Sequence, residues 1–221
     1  LSGKRQAERL AWFSTARNIS YVIGPLLAGW MLLSMDPTSI FTVIGILSSI
    51  AFIPILLLPD TRISNNSNQR PSLFTQTISG LWSGVKMPAV WLAGSLSANN
   101  LIAVYAIKTY FPLYALSNGM SPAFSGIFFA IQEATHILMT PLGGLVSDLI
   151  GHIRMAVIGM ILMSTALALI AITDVDFTII GMATLIGSAT LIGLGQALVL
   201  PSTLAIVATS VDKKHIGFGM G

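Results

Sequence analysis

The chain has 221 residues, of which 54% are hydrophobic and only 9% charged. Soluble domains carry about a quarter charged residues, so water is not the main solvent here. The net charge of +3 is spread thinly between apolar runs, which membrane topology explains better than a nucleic-acid partner does, and the absence of cysteine excludes disulfides, thiolate metal sites and cysteine nucleophiles.

Taken in chain order, the apolar windows predict six membrane-crossing helices. Helix one runs from about Trp12 to Ser34, helix two from Ser39 to Leu58, and helix three from Pro88 to Tyr114. Helix four follows from Ser121 to Val146, helix five from Arg154 to Thr173, and helix six from Phe177 to Ser210. Each holds the ~20 apolar residues that a helical crossing needs. None shows the strict alternation of a barrel strand, and lipid requires backbone groups to be satisfied within the segment. The fold class is therefore all-α, a polytopic membrane bundle.

Six crossings place both ends on one side. Lys4, Arg5, Arg9, Arg17, Arg62, Arg70, Lys86, Arg154, Lys213 and Lys214 all fall on that side, while the opposite loops around Asp36, Asn118 and Asp174–Asp176 hold none of them. Basic loops stay cytoplasmic, so both ends are expected inside the cell membrane. The opening LSGKRQAERLAW is too polar for a signal peptide, and both ends read as breaks within a longer chain. Between helices two and three, DTRISNNSNQRPS is polar, and LFTQTISGLWSGVKMP has apolar residues near helical spacing. Residues 60–87 are expected to be a cytoplasmic linker carrying an interfacial amphipathic helix, dividing 1–59 from 88–221.

Helix one contains SYVIGPLLAG, where Ser20, Gly24 and Ala28 make a stripe with almost no side chain, followed by Gly29. Such a stripe lets a second helix approach closely, and Pro25 bends the helix. Between helices four and five, GGLVSDLIGHIR offers Gly143 and Gly144 for close approach and Gly151 as a turn, with Asp148 expected either to accept from a neighbouring helix N-terminus or to pair with Arg154.

These stretches carry a resemblance. GLVSDLIGHIR resembles the cytoplasmic loop motif of the major facilitator superfamily, G-x-x-x-D-(R/K)-x-G-R-(R/K), although Leu149 and the pair His152–Ile153 replace most of its basic residues. SYVIGPLLAG resembles that family's fifth-helix motif, associated with exporters and antiporters, with Ser20 and Ala28 in two glycine places. LPDTR at 58–62 is similar to the end of a sixth helix. YFPLYALSNGMSPAFSG resembles the end of a seventh helix and the start of an eighth, and GLGQALVLPSTLAIVATSVDKKHIGFGMG resembles a tenth helix with its loop. In order along the chain, the likeness implies helices five to ten of a twelve-helix transporter, completed by the remaining helices of the same protein. Residues 1–59 would end its first bundle and 88–221 begin its second, with Gly144, Asp148, Gly151 and Arg154 as the gating loop.

The polar residues inside the apolar runs are the candidate site. Glu133 lies about twelve residues into helix four, roughly 18 Å along it at 1.5 Å per residue, near the bilayer midplane. A charged carboxylate facing lipid there costs ~2.5 kcal/mol or more, so it must meet a cavity or partner, or be protonated. His136 lies one turn on along the same face, and Lys108 of helix three is placed to pair with Glu133 across a helix contact. Asn99, Asn100 and Gln196 add polar surface in helices three and six. Their plain alternative is interhelical hydrogen bonding; for His136 it is a core histidine bonded to a carbonyl, and for Lys108 and Glu133 a purely structural pair. The resemblance adds that these helices border a central cavity.

The expected function is secondary active transport of a small solute by alternating access. It is expected to be driven by the transmembrane proton gradient without a bound cofactor, and to run as export or antiport. A proton-coupled importer is the alternative. A membrane-embedded enzyme is disfavoured, since neither H-E-x-x-H nor G-x-S-x-G occurs. A channel or membrane scaffold is the third class, and no repeated filter or charge ring is readable.

Overall fold

The computed structural model describes residues 2–50, 52–53, 87–173 and 179–210, with side chains from residue 18 to residue 209. Six helices account for them: α1 (Ser2–Ser34), α2 (Pro37–Ile50), α3 (Pro88–Ser117), α4 (Pro122–Ile150), α5 (His152–Ile172) and α6 (Ile179–Ser210). Strands are absent among the described residues. All but residue 87 of the expected linker lies outside them, as do LPDTR, Asp174–Asp176, Lys213 and Lys214.

The helix ends follow local chemistry. Asp36 opens α2, its carboxylate accepting the Ser39 backbone N–H at 3.0 Å and the Ser39 hydroxyl at 2.7 Å, an N-cap that satisfies donors the first turn cannot pair. Pro37, Pro88 and Pro122 each stand at a helix start, where the missing N–H costs nothing. α3 ends where Asn118 Nδ2 donates to the Tyr114 carbonyl at 2.8 Å and Gly119 turns the chain at φ 76°. α4 and α5 are separated only by Gly151, at φ 105°, a left-handed geometry that favours glycine.

α1 extends ten residues before the expected start at Trp12, through the polar opening segment. α3, α5 and α6 are long and apolar enough to cross a membrane. α4 has the length, 29 residues, but Gln132, Glu133 and His136 dilute its centre. The apolar stretches Asn18–Ser34 and Pro37–Ile50 are shorter.

Two apolar clusters fix the directions of the helices. Ala93 of α3 is buried with Ile206 and Val207 of α6, whereas Ile107 and Phe111 join Leu185, Ala189 and Ile192, so α3 and α6 run antiparallel. Phe111 stacks on Phe128 at 3.8 Å between ring centroids, with Phe129 edge-on to both. Such aromatic groupings add to area burial and tie the end of α3 to the start of α4.

Small residues set the remaining contacts. A Cβ on Gly126 would lie 2.5 Å from the Pro25 carbonyl oxygen, and one on Gly29 would lie 3.0 Å from the Pro122 carbonyl. Gly143 and Gly193 are equally closed at the α4–α6 contact, as are Gly159 and Gly195 between α5 and α6. Without a hydrophobic drive between helices in lipid, this close approach supplies the packing energy.

The packing face of α1 differs from the expected one. Ser20, Gly24 and Ala28 are exposed, and a Cβ on Gly24 would meet nothing within 4 Å. The face toward α4 carries Pro25 and Gly29 instead. The two stripes are neighbours on the helix, and one residue of rotation separates them.

Candidate functional site

Consecutive residues on a helix point about 100° apart, because 3.6 residues make a turn. Gln132 and Glu133 use that divergence to reach two different neighbours. Gln132 is buried and its Nε2 donates to Gln196 Oε1 of α6 at 2.8 Å. Glu133 turns to α3, where Lys108 Nζ donates to its Oε1 at 2.8 Å. The other carboxylate oxygen, Oε2, lies 3.5 Å from His136 Nδ1, with the imidazole one turn along α4.

The three ionisable side chains are unequally enclosed. The Glu133 side chain is 8% exposed, that of His136 20% and that of Lys108 38%. The carboxylate is thus enclosed beside two basic groups, and the Lys108 side chain is the most exposed of the three. At 2.8 Å Lys108 makes a charge-assisted bond; at 3.5 Å the imidazole contact is at the edge of hydrogen bonding. Lys108 is therefore the principal partner. Removing either member of such a pair leaves an uncompensated charge in a low-dielectric interior, which is strongly destabilising.

The Thr140 hydroxyl donates to the His136 carbonyl at 2.6 Å, engaging its own helix rather than the cluster. Asn100 is buried in the α3 stripe shared with Ala93, Val104 and Ile107, and its Oδ1 has no partner among the described residues. Asn99 is exposed and takes no part in the cluster. The Gln132 carbonyl Oε1 and the Ser125 hydroxyl are also buried without partners among the described residues. The two cavities described lie elsewhere. One, of about 320 Å³, is an apolar groove between α3 and α5 lined by Tyr110, Phe111, Leu167 and Ile170. The other, of about 520 Å³, lies beside Gly151, Arg154 and Thr209.

At the α4–α5 loop the expected ion pair is replaced. The Asp148 side chain is 73% exposed and stands 4.0 Å from His152 Nδ1; it forms no pair with Arg154 among the described residues. The ordered contact is a chain centred on Ser147: its Oγ meets His152 Nδ1 at 2.9 Å and Ser202 Oγ at 2.9 Å. Gly144 faces Pro201 of α6, its added Cβ 4.0 Å away. Loop and α6 are thus held through Ser147 and not through the carboxylate. Ser147, Ser202 and Gln132 are not among the site residues named from the sequence. The one available signal was that each interrupts an apolar run.

The arrangement is a polar layer in the middle of an otherwise apolar bundle: a carboxylate between an ammonium and an imidazole, with an amide pair on the other side of the same helix. Such a layer places three ionisable side chains within hydrogen-bonding reach of one another inside the bundle. Comparison with curated proteins returns no match. The family model of the Major Facilitator Superfamily matches residues 1–221, the full length in which these helices occur. The chain accordingly belongs to the Major Facilitator Superfamily and is a membrane transporter of that family.

Proposed function

We propose that the protein moves a small solute across the cell membrane by alternating access, coupled to the proton gradient, with Glu133 as the proton-carrying group. The observation that carries this reading is the enclosed Glu133 carboxylate held at 2.8 Å by Lys108, with His136 on its second oxygen. Taking up a proton removes the charge that holds Lys108 to α4, so protonation changes how strongly α3 and α4 adhere. A ligand shifts a conformational equilibrium only by its different affinity for the two states, and here the proton is such a ligand. His136, 3.5 Å from the second carboxylate oxygen, is the second group through which a proton reaches the site. Gln196 belongs to the polar layer through its bond to Gln132, and Asn99 and Asn100 are read as further polar surface of α3 along the solute path.

In this reading residues 1–59 end one helical bundle and 88–221 begin the next, joined by the linker 60–87 and completed by the remaining helices of the transporter. Both ends face the cytoplasm. The α1–α4 contact through Pro25, Gly29 and Gly126 then becomes the surface on which the two bundles rock. The loop from Gly144 to Arg154 acts as the inner gate, latched by Ser147 and Ser202. The likeness of SYVIGPLLAG to an exporter motif supports antiport; a symporter is the alternative, and the sign of the solute-induced pH change separates them.

The test is Glu133→Gln in proteoliposomes. Gradient-driven transport should be abolished while solute exchange between two pools persists. Unchanged pH-dependent uptake in this variant refutes the assignment.

A further inference from the structure

The geometry points to a small oxyanion, a carboxylate or phosphate, as the transported solute, with Lys108 as the group that receives it. This rests on the coupling role proposed for Glu133 and names the substrate class of the same site.

Three observations carry it. First, the Glu133 carboxylate already has a cationic partner, Lys108 on Oε1 at 2.8 Å, with the His136 imidazole 3.5 Å from Oε2, so its charge is offset within the protein before any solute arrives. Second, the Lys108 ammonium has three N–H donors, one of them on Glu133, and its side chain is the most open of the cluster at 38%. Third, the formal charge of the cluster is never negative while Lys108 is an ammonium. It is zero with Glu133 ionised and His136 neutral, and positive whenever either takes a proton. A cation meets a neutral or repelling site in every state, whereas an anion meets a neutral or attracting one.

Charges among the other described residues do not reverse this count: Asp148 of α4 lies about four turns further along the helix and its side chain is 73% exposed. Of the helices packed on α4, α6 brings no charged side chain and α1 none from Asn18 onward. α5 carries His152 and Arg154 at its start, far from Glu133 along the bundle. When a proton from water moves onto the Glu133 carboxylate, its bond to Lys108 loses its charge, and a lone ammonium remains in the membrane interior. That state is costly unless another anion takes the vacated place. Proton and anion therefore occupy the site together, which favours movement in the same direction over the antiport suggested by α1. Lysine suits this role because its ammonium is a point charge that accepts any oxyanion geometry.

The experiment is uptake into proteoliposomes containing the full chain, acid outside, with labelled lactate, succinate, inorganic phosphate, choline and glucose tested separately. Accumulation of at least one of the three anions, with none of choline or glucose, is the expected result. The K108Q/E133Q variant leaves no lone charge in the membrane and should insert normally. Its anion uptake should fall about a hundredfold, the scale of losing a buried charge partner. Uptake of none of the three anions overturns the substrate class, as does anion uptake unaffected in K108Q/E133Q. Choline or glucose uptake that still needs the pH gradient and Glu133 overturns the anion and leaves coupling standing. Anion uptake indifferent to the pH gradient does the reverse: it supports the anion and removes the coupling role.

Discussion

Gln132 and Gln196 are joined across the α4–α6 contact by one amide hydrogen bond of 2.8 Å, in a place where Gly193 lets the two helices touch. Gln132 is fully buried and its carbonyl oxygen already lacks a partner among the described residues. Gln196→Leu strands the Gln132 amide as well and should destabilise by about 1–3 kcal/mol, the cost of a buried unsatisfied group. The double variant Q132L/Q196L should recover most of that loss. Thermal unfolding in detergent, run as a double-mutant cycle, measures both; equal and additive losses would show that the two amides are independent.

The α1–α4 contact gives an opposed pair of substitutions. Gly126→Ala places a methyl against the Pro25 carbonyl, where an added Cβ would stand at 2.5 Å, and should cost about 1–3 kcal/mol through overpacking. Gly24→Ala meets nothing within 4 Å and should leave stability unchanged. Comparing the unfolding temperatures of the two variants checks the face assignment. If Gly24→Ala is the damaging one, α1 is turned by one residue from the position described.

Helix positions were legible in the sequence because apolar length and proline punctuation dominate in this chain. α3, α4 and α5 start within two residues of where the windows placed them, while the expected start of α6 at Phe177 lies outside the described residues. The contact between Lys108 and Glu133 was also foreseeable, since a lone charge in lipid must find its opposite. The packing face of α1 was not. Ser20–Gly24–Ala28 and Pro25–Gly29 both run at four-residue spacing on adjacent stripes, and periodicity ranks neither above the other. The His152–Ser147–Ser202 chain was hidden for a different reason: it depends on how α6 crosses α4, which spacing within either helix does not encode. Asp148, prominent in the motif, proved to be exposed, while the silent Ser147 beside it is the buried group.

Gly151 is the only residue between α4 and α5, and its φ of 105° is one that side chains resist. A Cβ there would meet nothing within 4 Å, so any penalty is conformational. Gly151→Ala should cost roughly 1–3 kcal/mol and speed amide exchange at Met155, whose N–H is held by the Gly151 carbonyl at 3.1 Å. Unchanged exchange would show that the turn relaxes freely.

Asp36 supplies a pH-dependent feature outside the spans. The hydroxyl of Ser39, then its backbone N–H, hold the Asp36 carboxyl below the ordinary value of 3.8. Because the folded value is the lower one, the cap contributes fully above the unfolded value and is lost as pH falls through the folded one. Amide exchange at Ser39 should therefore accelerate in strong acid, and Asp36→Ala should show that faster exchange already at neutral pH. A Ser39 amide indifferent to both changes would contradict the cap.

Infrared difference spectroscopy of the reconstituted protein tests the central claim most directly, since it sees the carboxyl group itself. Acidification should raise a protonated-carboxyl C=O band that shifts when Lys108 is replaced by Gln and vanishes in Glu133→Gln. A pH-induced carboxyl band that is identical in wild type and Glu133→Gln would contradict the assignment of the proton to Glu133.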